Sequence, residues 1–205
     1  MRLLSRYLNV GNYKKTLYFF TLCWLSICTI CVGLLVSNHY IVFKPSDLLP
    51  STNEIKNSKW TLHHILGVGC GCSETVYQYL KSRGPESEFN ELITVIGDNQ
   101  VWINSLKAVG FTVQSVNENS LNTDEMFGVP YLAIYNQKNQ PIYKGGYGEH
   151  FIKKQDDILD LKIVKSLQGR GKAPKVFPIF GCASNLKYKK IFDPFNLKSG
   201  KVGKL

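Results

Sequence analysis

Leu17 to Val36 reads LYFFTLCWLSICTICVGLLV, twenty residues without a charge or a proline. No other stretch restricts the fold of this chain so tightly. About 20 apolar residues is the length an α-helix needs to cross a bilayer, and within hydrocarbon a lone segment can satisfy its backbone only as a helix. A secretory signal has a shorter apolar region, about 7–15 residues, closed by a small-x-small cleavage site. Val36-Ser37-Asn38 does not supply that site, so the segment reads as an uncleaved anchor. Arg2, Arg6, Lys14 and Lys15 precede it, and the next basic residue is Lys44. The positive-inside rule then puts the N-terminus in the cytoplasm. The expected layout is a cytoplasmic N-terminus (1–16), a transmembrane helix (17–37), a polar linker (38–59), a folded domain (60–168) and a basic C-terminal extension (169–205). A single-pass inner-membrane protein with a periplasmic domain follows; in a mitochondrion the domain would face the intermembrane space.

This placement changes what the composition means. The net charge of +10 over 205 residues would otherwise suggest nucleic acid. An exported domain rarely meets nucleic acid, so no such partner is expected. From Arg170 to Leu205 nine Lys and Arg face one acid, Asp193. That tail reads as a solvated basic face, or as a contact with anionic lipid at roughly 1 kcal/mol per basic residue. The six cysteines divide by the same boundary. Cys23, Cys28 and Cys31 lie in the apolar run and serve as small apolar fillers. Cys70, Cys72 and Cys182 lie in the exported part, where disulfides are permitted. Three is an odd number, so one thiol stays reduced, pairs elsewhere or binds a metal.

Within the folded domain, Trp60–Leu66 reads as a strand. Ser73–Lys81 reads as a helix with Ser73 at its N-cap and Val76, Tyr79 and Leu80 on one face. Leu92–Ile96 is a second strand, 100–108 a short helix and Phe111–Val116 a third strand. After Gly128-Val129-Pro130 come the strand Tyr131–Tyr135, a turn over Asn136–Gln140 and the returning strand Ile142–Lys144. A last helix is expected over 152–167, with Ile158, Leu161, Val164 and Leu167 on one face. The first three strands should be parallel, joined by right-handed crossovers, with the hairpin antiparallel at one edge. Cys70-Gly71-Cys72 falls at the turn between the first strand and its helix. Two thiols this close can do disulfide chemistry or bind a soft metal.

Over residues ~58–168 the chain resembles the thioredoxin-like superfamily. Three features carry the resemblance: the cysteine pair opening a helix after the first core strand, Gly128-Val129-Pro130 before the fourth strand, and Lys144-Gly145-Gly146-Tyr147 after the hairpin. It implies an α/β fold with a mixed four- to five-stranded sheet flanked by helices. It also implies a cis bond at Pro130, although only ~5–6% of X–Pro bonds in folded proteins are cis, and substrate binding by Val129 and Pro130. One departure is the spacing: the family places two residues between its cysteines, and here Gly71 stands alone. A disulfide across one residue closes a small ring and tends to be exchange-prone. Another is Gly69, where the family has an aromatic residue.

By this resemblance Cys70, at a helix N-terminus that favours thiolate, is the nucleophile and the more exposed of the pair. Cys72 is the resolving thiol. His64, six residues before Cys70, sits where the family has a buried proton-moving acid, and it reads either as a substitute for that acid or as a structural histidine. Phe177–Ala183 is too apolar for a free tail and should fold back on the domain. It is similar to a C-terminal Phe-Gly-Cys-Ala in bacterial thioredoxin-like proteins that carry Gly-Cys-x-Cys-Ser, which implies that Cys182 approaches the pair or else packs as an inert cysteine.

Three functions are compatible with these features. One is a membrane-anchored thiol–disulfide oxidoreductase with Cys70, Cys72 and Cys182 catalytic, no bound cofactor, and exported protein thiols or disulfides and a redox partner protein as its partners. Another is a copper-binding module using Cys70, Cys72 and Cys182 with His63 or His64, resembling Sco-type copper chaperones, whose distant histidine His150 could match. The last is a non-catalytic interaction domain.

Overall fold

The computed structural model describes residues 2–37, 59–118, 128–170 and 175–192. The expected linker lies outside them except for Lys59, as do 119–127, 171–174 and the basic end of the chain beyond 192. The chain forms two units, Met1–His39 and Tyr40–Leu205.

The first unit is a single helix, α1 (Arg2–Ser37). Its segment Tyr13–Gly33 has 21 residues with a mean hydropathy of 1.8 and none of them buried. At 1.5 Å per residue that is about 32 Å, close to the thickness of a hydrocarbon core. The Thr21, Ser26 and Thr29 hydroxyls donate to the carbonyls of Leu17, Leu22 and Leu25 at 2.8–2.9 Å. Their polarity is thus met inside the helix, as an apolar medium requires. The helix is long and apolar enough to cross a membrane.

The second unit has a thioredoxin-like α/β fold. Its elements are β1 (Thr61–Gly67), α2 (Gly71–Arg83), β2 (Asn90–Ile96), α3 (Gln100–Ala108), β3 (Thr112–Val116), β4 (Gly128–Val129), β5 (Tyr131–Tyr135), β6 (Pro141–Gly145), α4 (Asp160–Lys165), β7 (Cys182–Ala183) and α5 (Leu186–Phe192). Five strands form one sheet in the order β3-β2-β1-β5-β6. The pairs β1–β2 and β2–β3 are parallel, and β5 and β6 run antiparallel. The parallel first three strands and the antiparallel hairpin at one edge expected from sequence are therefore present, and the Val129–Pro130 bond is cis.

β1 is central and every one of its residues is buried. Alternation sends its side chains into two cores. Leu62 and Leu66 join Val76, Tyr77 and Leu80 of α2 in the larger core. Ile65 joins Cys70, Cys72, Val129 and Tyr131 in the smaller. Tyr77 stacks on Trp102 of α3, with centroids 4.6 Å apart, and so ties the two crossover helices together.

Two local expectations need correction. The helix expected over 152–167 begins only at Asp160, because Gln155–Asp157 forms a separate 3₁₀ turn whose Asp157 carboxylate accepts from the backbone N–H groups of Lys153 and Lys154. Short polar side chains satisfy the backbone locally and break an otherwise helical run. Ser73 is not the N-cap of α2; Cys70 is, and Ser73 lies inside the first turn, its hydroxyl accepting from the Gly67 N–H at 3.1 Å.

A charged network lies buried in this unit. Arg83 makes two hydrogen bonds to the Glu91 carboxylate, at 2.9 and 2.7 Å, and one to Asp160 at 3.1 Å. Tyr79 donates to Asp160 at 2.9 Å. Burial by itself would raise Glu91, but the Arg83 hydrogen bonds and His64 outweigh it and hold the carboxyl at about 2. Such a pair ties α2, β2 and α4 into one register, and breaking it leaves buried charge uncompensated. Arg83→Ala should therefore cost on the order of 3–5 kcal/mol in denaturant unfolding of the full chain in detergent. Glu91 is depressed in the folded state, so its contribution is complete above the unfolded carboxyl pKa. It is lost as pH falls from about 4.5 towards 2. The unfolding midpoint should drop across that window, and Glu91→Gln should flatten the drop.

Candidate active site

β1 ends at Gly67, and the next residues make the turn that carries the cysteines. The Val68 N–H extends the sheet ladder to the Ile96 carbonyl at 2.9 Å. Gly69 then takes a positive φ of 79°, which reverses the chain without the steric cost of a side chain. The Cys70 N–H closes the turn on the Gly67 carbonyl at 3.3 Å, and the Glu74 N–H makes the first helical bond to the Cys70 carbonyl. Cys70 is thus the N-cap of α2, extended at φ −99° and ψ 118°, with no side-chain cap. Its sulfur stands beside the positive end of the helix, which favours thiolate.

Val129 faces this turn from the cis-proline loop. It is completely buried. Its carbonyl lies 3.4 Å from Cys70 Sγ and accepts from the protonated thiol. The ionised sulfur accepts instead from the thiols of Cys182 and Cys72 and from Ser73. Several donors to the thiolate outweigh one acceptor for the thiol, so the balance favours ionisation. Cys182 and then Cys72 do most to hold Cys70 well below the ordinary thiol range; burial opposes them, and Ser73 adds to them. Cys72 moves the other way: its hydrogen bond to Cys70, burial and the Cys70 charge push it well up. The two shifts run in opposite directions, Cys70 towards thiolate and Cys72 towards thiol.

Cys70, Cys72 and Cys182 thus meet at one place, and none of them is in a disulfide. Cys70 is not the more exposed of the pair, as had been expected. It is 2% exposed and Cys72 is 3%, while Cys182 is partly exposed. The cover is the C-terminal segment, in which Ile179 and Ala183 are buried against the cysteines. Phe177–Ala183 does fold back on the domain: β7 pairs antiparallel with β4, setting Cys182 opposite Val129.

The histidines lie elsewhere in the hydrogen-bonding scheme. His64 Nδ1 is 2.9 Å from the Tyr147 hydroxyl and Nε2 is 3.2 Å from Glu91. Both ring nitrogens are occupied by the charged network, and His64 is not among the main influences on Cys70 or Cys72. His63 bonds Thr94 at 2.7 Å, and burial followed by the neighbouring His64 holds it near 3, so it is neutral at physiological pH. Among the described residues no group of three or more His, Cys, Asp and Glu side chains is arranged to hold a metal ion.

Sequence reasoning missed the part Ser73 plays, because Ser-x-x before a helical run suggested a cap. It also missed Gly181. A β-carbon at Gly181 would overlap the Val129 carbonyl, so only glycine lets the two backbones approach this closely. The signal was present as Phe-Gly-Cys-Ala, but its partner is 52 residues away in sequence (181 minus 129).

No protein-family model matches the chain, and no curated protein matches it. Among solved structures, a hypothetical protein from Sinorhizobium meliloti is 17% identical, with a TM-score of 0.49 over 64% of this chain and 81% of that one. An uncharacterized conserved protein from Geobacillus kaustophilus is 12% identical, with a TM-score of 0.49 over 70% and 87%. The thioredoxin domain of a thiol-disulfide oxidoreductase from Bacteroides vulgatus is 12% identical, with a TM-score of 0.35 over 46% and 74%. These distant likenesses carry no activity across. The fold assignment rests on the chain's own strand order and cis-proline loop.

Removing the Ser73 hydroxyl takes a donor from the Cys70 thiolate and an acceptor from the Gly67 N–H. Ser73→Ala should raise the Cys70 titration midpoint, read from thiolate absorbance at 240 nm, and cost about 1 kcal/mol of stability.

Proposed function

We propose that this chain is a membrane-anchored thiol–disulfide oxidoreductase that acts on exported proteins, with Cys70 as nucleophile, Cys72 and Cys182 as the thiols that can resolve it, and Val129 and Pro130 as the substrate-facing loop. The observation that carries this reading is the position of Cys70. It is the N-cap of α2, it touches the cis-proline loop, and it receives hydrogen bonds from two further thiols. A buried thiolate poised beside a second thiol is the arrangement that disulfide exchange needs.

The opposite shifts of the two thiols suit the two halves of an exchange. Cys70 thiolate attacks a partner disulfide and becomes part of a mixed disulfide. It then no longer carries the charge that pushes Cys72 up. The restraint on Cys72 is relieved at that stage, which leaves it, like Cys182, able to ionise and attack Cys70 Sγ. The chain's own residues supply this sequence without a bound cofactor, and a separate redox partner restores the starting state. The length and apolar surface of α1, with its basic flank, support the anchor and the exported placement of the domain.

Cys70→Ser should reduce insulin-reductase or disulfide-isomerase activity to background. The double variant Cys72→Ala with Cys182→Ala should instead accumulate a mixed disulfide on Cys70, visible as a reductant-sensitive mass increase. Full activity in Cys70→Ser would sink the reading. Stoichiometric Cu(I) binding lost in Cys72→Ala, without exchange, would replace it with metal transfer.

A further inference from the structure

A nucleophile that must meet protein substrates is here only 2% exposed. The segment that covers it is fixed at points spread along its length. The Gly146 N–H donates to the Phe177 carbonyl at 2.9 Å, and the Phe177 N–H donates to the Tyr143 hydroxyl at 3.3 Å. β7 then pairs with β4. At the far end Lys189 of α5 meets Glu118 at 2.6 Å, both side chains mostly buried. The strand registers show what these anchor points have in common. Gly67, Ile96 and Val116 end the parallel strands at one end of the sheet, where β5 starts with Tyr131 opposite Ile65 and β6 finishes with Gly145 opposite Leu132. Residues 177–192 therefore run along the cysteine-bearing end of the sheet, from beside β6 at one side to just past β3 at the other.

The fit is specific to this occupant. Val129 offers its backbone to an antiparallel strand, and the strand it holds places a cysteine directly opposite it. The preceding residue packs against the Val129 carbonyl so closely that a β-carbon has no room, and a backbone oxygen cannot swing aside as a flexible side chain could. Gly146 is fitted in the same way against the Pro178 carbonyl. An extended peptide laid on β4 in this register would need glycine just before its cysteine, as the chain itself has.

We propose that residues 177–192 form a strap that fills the chain's own strand-accepting edge, with Cys182 in the position of a substrate cysteine, so that a protein partner reaches Cys70 only when β7 leaves β4. This rests on the exchange reading above and assigns Cys182, rather than Cys72, as the resolving thiol. With the strap lifted, Cys70 thiolate attacks one sulfur of a partner disulfide. That S–S bond breaks, the leaving thiolate takes a proton, and a mixed disulfide forms. β7 then returns, the Cys182 thiol loses its proton to solvent and its thiolate attacks Cys70 Sγ, and the partner's second sulfur leaves as thiolate and takes up a proton. Two electrons pass from Cys70 and Cys182 to the partner, and the new Cys70–Cys182 bond fastens the strap. A dithiol reductant reopens it.

The test uses the full-length chain in detergent micelles. Reduced wild type, Gly181→Ala and Lys189→Glu are labelled with a small maleimide, and the Cys70 peptide is followed by mass spectrometry. Cys70 should label on the order of tenfold faster in both variants, since a local opening equilibrium sets access to a buried group. Lys189→Glu keeps the measurement valid if Gly181→Ala does not fold, because it loosens only the far anchor. Diamide oxidation of wild type should give a Cys70–Cys182 bond on peptide mapping. Equal labelling of all folded forms, or a Cys70–Cys72 bond in its place, overturns the proposal. Faster labelling in the variants with no form reducing a peptide disulfide keeps the strap and removes the exchange reading. Equal labelling with active exchange does the reverse.

Discussion

The backbone of Val129 holds the two halves of the site together. Its carbonyl faces the Cys70 thiol, its side chain lies against Gly67 at the end of β1, and its strand pairs with Cys182. The cysteine-bearing turn, the cis-proline loop and the C-terminal segment share this one residue and otherwise come from distant parts of the chain. Moving the Val129 backbone would alter the hydrogen bonding of Cys70 and the seating of Cys182 at once. In a close-packed interior such a residue has little room to adjust.

Around this point the domain separates its polar work into two places. The Arg83–Glu91–Asp160 network with His64 and Tyr147 pins β1, β2 and the helices together. The thiol cluster, by contrast, sits in a small apolar core with Ile65, Ile96 and Ile179. An apolar surround penalises any charge not matched by donors, so the thiolate depends on the S–H and O–H groups aimed at it. That dependence explains why one sulfur is lowered and its neighbour raised, although both are almost fully buried.

Much of the fold was legible in the chain. Apolar runs marked β1, β2 and β5, which are buried on both faces, and alternation marked the more exposed β3, each strand of the main sheet being placed to within two residues. The helix expected over 152–167 was not legible, since Asp157 competes for backbone N–H groups that a periodicity argument assigns to the helix. The site was legible in part. Cys70, Cys72, Val129, Pro130 and Cys182 could be singled out as unusual residues in unusual contexts. The order of exposure could not, because the cover comes from a segment more than 100 positions beyond the cysteine pair (182 minus 72 is 110).

By itself the sequence determined a helix apolar enough to span a bilayer, the alternation of strands and helices, and two thiols at a strand-to-helix turn. These are local properties, fixed by hydrophobic periodicity, chain length and the conformational reach of glycine and proline. Only the tertiary structure decided that His64 belongs to a carboxylate network instead of the thiols, and that Cys182 lies opposite Val129. It also decided that Cys70 is covered. Each of these depends on a contact between residues tens of positions apart, where a backbone approach such as Gly181 on Val129 is set by packing and leaves no local pattern to read.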